Sequence, residues 1–320
     1  MSRSTTAAVA TVAVAVLVAG CSAGGGAQGG AAGFPVTVEN CGRQVTIDRP
    51  PERVLTIGPE SLTMVEAAGG LDKVVATQGG LPSGAEAQFA GVRQLPVDDP
   101  PGTETIIAER PDLVVSYGLS NTDPETLGTA GISSLVLTGM CGTHDDGTNV
   151  DGDVDFDDVY GDLQLYGRLF GTTDQADKFV ADLSSRVQAV QQAAAANPPR
   201  SAAVIWPGDG GLPYGYGTAS MTQTMLATLG MRNVFDDVSG FGREISKEEL
   251  IDRNPDVIIL YLFGDDNARA IENLRLIPGI GEVTALKRNQ VMALQSTYLR
   301  PSAGVVDGLE IIARDLAAYR

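Results

Sequence analysis

Histidine occurs once in the 320 residues of this chain, tryptophan once and cysteine three times. A solitary imidazole, His144, rules out the multi-histidine clusters that hold bare zinc or manganese. It also leaves a serine nucleophile only one candidate base, in a loop with no sign of a serine partner. No GxSxG elbow, HExxH helix or P-loop is present, so enzymatic hydrolysis has no framework to stand on. Basic residues are scarce: 22 Lys and Arg face 40 Asp and Glu, a net charge of −18, and no basic tract could follow a phosphate backbone. Nucleic acid is a poor partner for such a chain. Long apolar runs are missing too. The one sustained stretch, Ala7–Gly20, would span ~21 Å as a helix against a hydrocarbon core of ~30 Å.

That stretch follows the basic start Met1-Ser2-Arg3 and has the build of a cleaved signal, residues 1–20. It ends in Leu17-Val18-Ala19-Gly20-Cys21, which resembles the bacterial lipobox, in which the cysteine is acylated and becomes the mature N-terminus. A buried cysteine beside an ordinary cleavage site is the alternative. Acyl chains at ~0.8 kcal/mol per buried CH₂ would hold the protein on a membrane. Residues 21–33, nearly all Gly, Ala and Ser after Cys21, read as a flexible leash of roughly 20 Å. With Cys21 lipidated, Cys41 and Cys141 remain. An even pair in an exported domain is most simply a disulfide; free thiols or a metal pair are the alternatives.

What is present is a duplication. Thr103–Val115 reads Thr-Glu-Thr-Ile-Ile-Ala-Glu-Arg-Pro-Asp-Leu-Val-Val, and Lys247–Ile259 repeats it as Lys-Glu-Glu-Leu-Ile-Asp-Arg-Asn-Pro-Asp-Val-Ile-Ile. Each copy predicts a short helix, broken by Pro-Asp, that feeds a strand buried on both faces. Strand and helix patterns alternate through residues 34–155 and again through 198–320, which predicts two parallel α/β lobes. In the first lobe Thr122 is the expected N-cap of a helix at Pro124–Thr129. Residues 156–197 form a helical stretch broken once at Gly171, the expected backbone between the lobes. A chain with two such lobes usually works in the cleft between them.

Several collinear segments resemble one family. They are Pro51-Glu52-Arg53-Val54-Leu55-Thr56-Ile57-Gly58-Pro59, the Glu104…Pro111-Asp112 block, Tyr166-Gly167-Arg168-Leu169-Phe170-Gly171, and Leu229-Gly230-Met231-Arg232-Asn233-Val234 leading to Ile245-Ser246-Lys247-Glu248. Together they resemble the siderophore and cobalamin class of substrate-binding proteins of ABC importers, class III among periplasmic binding proteins. The resemblance implies two Rossmann-like lobes joined by a single long rigid helix, a shallow ligand cleft with small hinge motion, and one surface glutamate per lobe that docks on basic residues of a permease dimer. Glu104 and Glu248 fall at those docking positions. Ser246 and Glu249 have capping-box spacing, which would fold Glu249 back on the backbone and leave Glu248 free to point outward. Complementing helix dipoles is the plainer role for both carboxylates.

Ligand contacts are expected on loops at strand C-termini: Pro59, Glu60, Gln78 and Tyr117 in the first lobe, and Trp206, Tyr214, Tyr216, Phe263, Tyr298 and Arg300 in the second. Aromatic rings stack on flat chelate surfaces and an arginine pairs with ligand oxygens. Core packing for the rings and surface ion pairs for Arg300 and Arg243 are the structural alternatives. Asp151-x-Asp153-x-Asp155 starts like a calcium loop, but Phe156 replaces the turning glycine and Asp162 the bidentate glutamate, so the acidic run reads as a solvated loop ending in a helix cap. The sequence therefore predicts a monomeric, non-enzymatic lipoprotein on the extracytoplasmic face of a membrane, with no cofactor or protein-held metal. It would capture a ferric siderophore and deliver it to an ABC permease dimer with its ATPase; cobalamin or haem is the alternative cargo. A purely structural adhesin would not explain the paired glutamates.

Overall fold

The computed structural model describes residues 33–82, 85–96, 100–142, 153–208, 213–263 and 266–319; Cys21, the signal segment and His144 lie outside them. The N-terminal lobe opens with the antiparallel hairpin β1 (Val36–Asn40) and β2 (Arg43–Ile47). Then follow β3 (Val54–Ile57), α1 (Pro59–Ala67), β4 (Val74–Gln78), α2 (Thr103–Glu109), β5 (Leu113–Ser116), α3 (Pro124–Thr129) and β6 (Ser133–Val136). Its main sheet has four strands, all parallel, in the order β4-β3-β5-β6. Asn40 guards the open edge of this sheet: its side chain donates to Val136 O at 2.7 Å and accepts from Val136 N at 2.8 Å, as a neighbouring strand would. Next to it, Cys41 and Cys141 form the expected disulfide, closing a separation of 100 residues.

Two helices, α4 (Phe156–Phe170) and α5 (Thr173–Ala194), lead to the second lobe. The single long helix expected there is thus two. Gly171 takes the left-handed conformation, φ 74°, and Thr172 N bonds back to Gly167 O at 2.8 Å, which closes α4. The break lets each half serve a different lobe. α4 packs on α1 and the 3₁₀ turn Thr138–Met140, whereas α5 contacts the second lobe. Asp155 caps α4 in a capping box with Asp158, so the acidic run does end in a helix cap.

The C-terminal lobe contains β7 (Arg200–Trp206), β8 (Tyr214–Tyr216), α6 (Met221–Thr228), β9 (Met231–Asn233), β10 (Gly242–Glu244), α7 (Lys247–Arg253), β11 (Val257–Leu262), α8 (Asn267–Arg275), α9 (Thr284–Lys287), β12 (Val291–Gln295) and α10 (Val305–Ala318). Its sheet runs β10-β8-β7-β11-β12, with β9 also on β7. The expectation of parallel sheets holds for the first lobe but only in part here, because β8 and β10 are antiparallel. β8 pairs antiparallel beside β7, the strand that precedes it, a pairing that requires no crossover helix. Arg186 of α5 fastens the connector to α10 through a two-point pair with Glu310, at 2.9 and 2.8 Å.

The duplicated segments build one device twice. α2 and α7 both end on a left-handed residue, Arg110 (φ 52°) and Asn254 (φ 44°), and each is followed by proline. The next aspartate clamps the start of the strand that pairs beside the following one, β3 in the first lobe and β7 in the second. Asp112 accepts from Glu52 N and Arg53 N at 2.9–3.2 Å; Asp256 accepts from Ser201 N at 3.0 Å and from Ser201 Oγ at 2.9 Å. The strands that follow, β5 and β11, are buried along their whole length and lie inside their sheets. Two local expectations are corrected. Asp123, not Thr122, caps α3, because the Thr122 hydroxyl is spent on Pro101 O. Glu249 does not fold back on the backbone at the start of its helix: its carboxylate pairs with Arg243 and Arg253, and only the Ser246 half of the capping box forms.

Candidate ligand cleft

Parallel strands end on the same side of each lobe, and the two ends face each other. Leaving β3, the chain turns at Gly58 with φ 90°; a Cβ there would come within 2.2 Å of the Tyr117 ring. That turn starts α1 and aims Glu60 across to the other lobe. Leaving β12, the 3₁₀ turn Ser296–Tyr298 and Arg300 reach back.

These two segments meet. Ser296 Oγ donates to Glu60 Oε1 at 2.7 Å, and Arg300 Nη1 lies 3.7 Å from the same oxygen, close enough for an ion pair but not for a hydrogen bond. Glu60 is 1% and Arg300 8% exposed. Three rings surround the guanidinium: Phe263 at 5.0 Å, Tyr117 at 5.2 Å and Tyr261 at 5.5 Å from Cζ. Cation–π attraction and the ion pair together offset the cost of burying this charge.

From Arg300 an aromatic belt extends along the second lobe. Tyr261 stacks on Tyr216 at 4.6 Å, Tyr216 meets Phe241 edge-on at 5.3 Å and Tyr214 at 5.4 Å, and Phe263 meets Trp206 edge-on at 5.9 Å. Burial raises the phenols of Tyr214, Tyr216 and Tyr261 above their ordinary value, so all three are neutral at pH 7. Phe263 is 58% exposed although it is a large apolar side chain. A belt that ends on such a ring offers an exposed apolar surface at the cleft.

The expected residues therefore divide by depth. Phe263 is open; Pro59, Tyr117, Trp206, Tyr214 and Tyr298 are half-buried; Glu60, Gln78, Tyr216 and Arg300 lie inside. Arg300 is not in a surface ion pair, while Arg243, paired with Glu249, is. Sequence reasoning missed Tyr261, Ser296 and Phe241. Tyr261 alone carried a signal, as the one polar side chain in an otherwise aliphatic strand. Glu104 and Glu248 are exposed in the first turns of α2 and α7. Two hollows of about 550 and 600 Å³ lie at the other end of the second sheet, around Arg200 and Asp256, away from the lobe–lobe contact. No group of three or more His, Cys, Asp or Glu that could hold a metal occurs among the described residues.

Comparison with known proteins agrees with this architecture. Residues 54–298 match the model of the periplasmic binding protein family. The crystal structure of an ABC-type Fe3+-hydroxamate transport system from Saccharomonospora viridis superposes with a TM-score of 0.79 at 34% identity, covering 88% of this chain and 99% of that one. The uncharacterized ABC transporter substrate-binding lipoprotein YvrC of Bacillus subtilis is 24% identical over 318 residues, 94% of this chain and 93% of YvrC. A cobalamin-binding protein of Halobacterium salinarum is 24% identical over 294 residues, 88% of this chain and 74% of that protein. These likenesses join the paired lobes and the aromatic cleft to one conclusion: the chain belongs to the periplasmic binding protein family, as a non-enzymatic solute-binding component of an ABC importer.

Proposed function

We propose that the chain captures a ferric siderophore, of the hydroxamate type, and delivers it to an ABC permease. The observation that carries this reading is the cleft in which Glu60 and Tyr117 of one lobe meet Arg300, Tyr261 and Phe263 of the other, in a fold 34% identical to the Fe3+-hydroxamate system. Rings cover the apolar faces of a chelate and the guanidinium addresses its oxygens. A net charge of −18 repels polyanionic complexes at long range and so favours neutral or cationic ones. Cobalamin is the second reading, favoured by the Halobacterium relative and by the exposed aromatic edge of the cleft at Phe263 and Trp206. In this account Cys21 carries the lipid anchor on the extracytoplasmic face, and Glu104 and Glu248 dock on the permease. Removing the chain from its host should abolish uptake of radioiron supplied as ferric hydroxamate, and wild type but not Arg300→Ala should restore it. Undiminished uptake without the chain would refute the proposal.

A further inference from the structure

The deepest polar feature of the cleft is a carboxylate that spans the lobes and neutralises the arginine expected to meet the cargo. Glu60 Oε1 holds both Ser296 and Arg300, while Glu60 Oε2 and Arg300 Nε, each buried, make no hydrogen bond among the described residues. Oε2 is not stranded in an apolar core: it sits at the β3–α1 turn, 3.1 Å from where a Cβ on Gly58 would stand, beside the Tyr117 ring. Buried polar atoms are rarely left without partners unless a ligand or water completes them.

We propose that Glu60 is the charge filter of this cleft, selecting cargo that is electrically neutral where it meets Arg300. The inference rests on the siderophore reading and narrows it to a neutral complex that carries an oxygen acceptor beside an N–H or O–H donor, as amide-bearing hydroxamate complexes do. Such a ligand takes Arg300 Nε–H with its acceptor and offers its donor to Glu60 Oε2, and the ion pair survives. An anionic oxygen faces a different situation. It must share one guanidinium with a fixed carboxylate at close range, or displace Glu60 and leave that charge buried without a partner. The rings of Tyr117, Tyr261 and Phe263 supply no further cation. Arg300 alone would make the cleft a receptor for anions; Glu60 reverses that.

The test measures affinities by calorimetry for two pairs of probes: neutral ferrichrome against trianionic ferric enterobactin, and cyanocobalamin, without net charge, against haem with its two propionates. Wild type should prefer the neutral member of the pair it binds by at least about tenfold, and Glu60→Gln, which keeps the shape and removes the charge, should shrink that preference by about tenfold or more. Glu272→Gln, on the exposed face of α8, removes the same charge from the surface and should change nothing. Glu60→Asp withdraws the carboxylate by one methylene and stands in if Glu60→Gln does not fold; it should move the ratio the same way, by about threefold. An unchanged ratio in either folded variant, a wild type that prefers the anionic member, or no binding of any probe overturns the filter. The functional reading is judged separately, by which pair is bound: binding of the cobalamin and haem pair alone would refute the siderophore while the filter stood or fell on its own ratio.

Discussion

Asp162 should make this protein lose stability as the pH rises toward and past neutrality. The residue is 4% exposed in α4, and its two oxygens lie 2.8 Å from Thr138 N and 2.7 Å from Thr138 Oγ1, pinning the connector to the 3₁₀ turn of the first lobe. Burial pushes its carboxyl up to about 7, against the hydrogen bonds from Thr138, which lower it. The folded-state value thus lies above the unfolded one, so the folded chain holds a proton that the unfolded chain has released between about pH 4 and pH 7. The stabilisation is complete below that window and disappears as pH rises through the folded value. Evaluating the linkage with those two values gives a loss of about 2 kcal/mol between pH 5.5 and pH 8. Asp162→Asn copies the protonated acid, accepting from Thr138 N and donating to Thr138 Oγ1. Urea unfolding from pH 5.5 to 8.5 should show the loss in wild type and a flatter curve in the variant. Parallel curves would refute the assignment of a buried protonated carboxyl.

Two further outcomes are expected. Replacing Cys41 and Cys141 by serine opens a loop of 100 residues and should cost about 4 kcal/mol in chemical denaturation, and unaltered stability would show that the hairpin holds without the bond. Glu104→Arg with Glu248→Arg should abolish uptake while leaving cargo affinity as in wild type; normal transport by the double variant would remove the docking role.

Elements whose boundaries are set by local chemistry were legible in the sequence. Pro124–Thr129, Val257–Leu262 and Val305–Ala318 fall where proline, all-apolar runs and amphipathic spacing put them. The duplicated Glu…Pro-Asp segments announced two lobes, although nothing in their wording told that the aspartates clamp neighbouring strands through backbone N–H groups. The antiparallel pair Tyr214–Tyr216 and Gly242–Glu244 escaped notice, since each strand is only three residues long and contains a glycine. The cleft was legible as a set of strand ends, not as contacts. Glu60 and Ser296 are 236 residues apart, and only the folded chain makes a hydrogen bond between them. For the same reason Arg300 read equally well as a surface ion pair. Depth in the cleft depends on how the two lobes close, and no local pattern carries that.

Capture of a ferric chelate between the lobes can be followed at Trp206, the only tryptophan, which touches Phe263 at the cleft. The soluble chain from Phe34 to Arg320 is titrated with ferrichrome and with its iron-free ligand while tryptophan emission is followed. Saturable quenching by the ferric complex is expected, and none by the iron-free ligand. Equal responses to both, or none to either with calorimetry also silent, would contradict it.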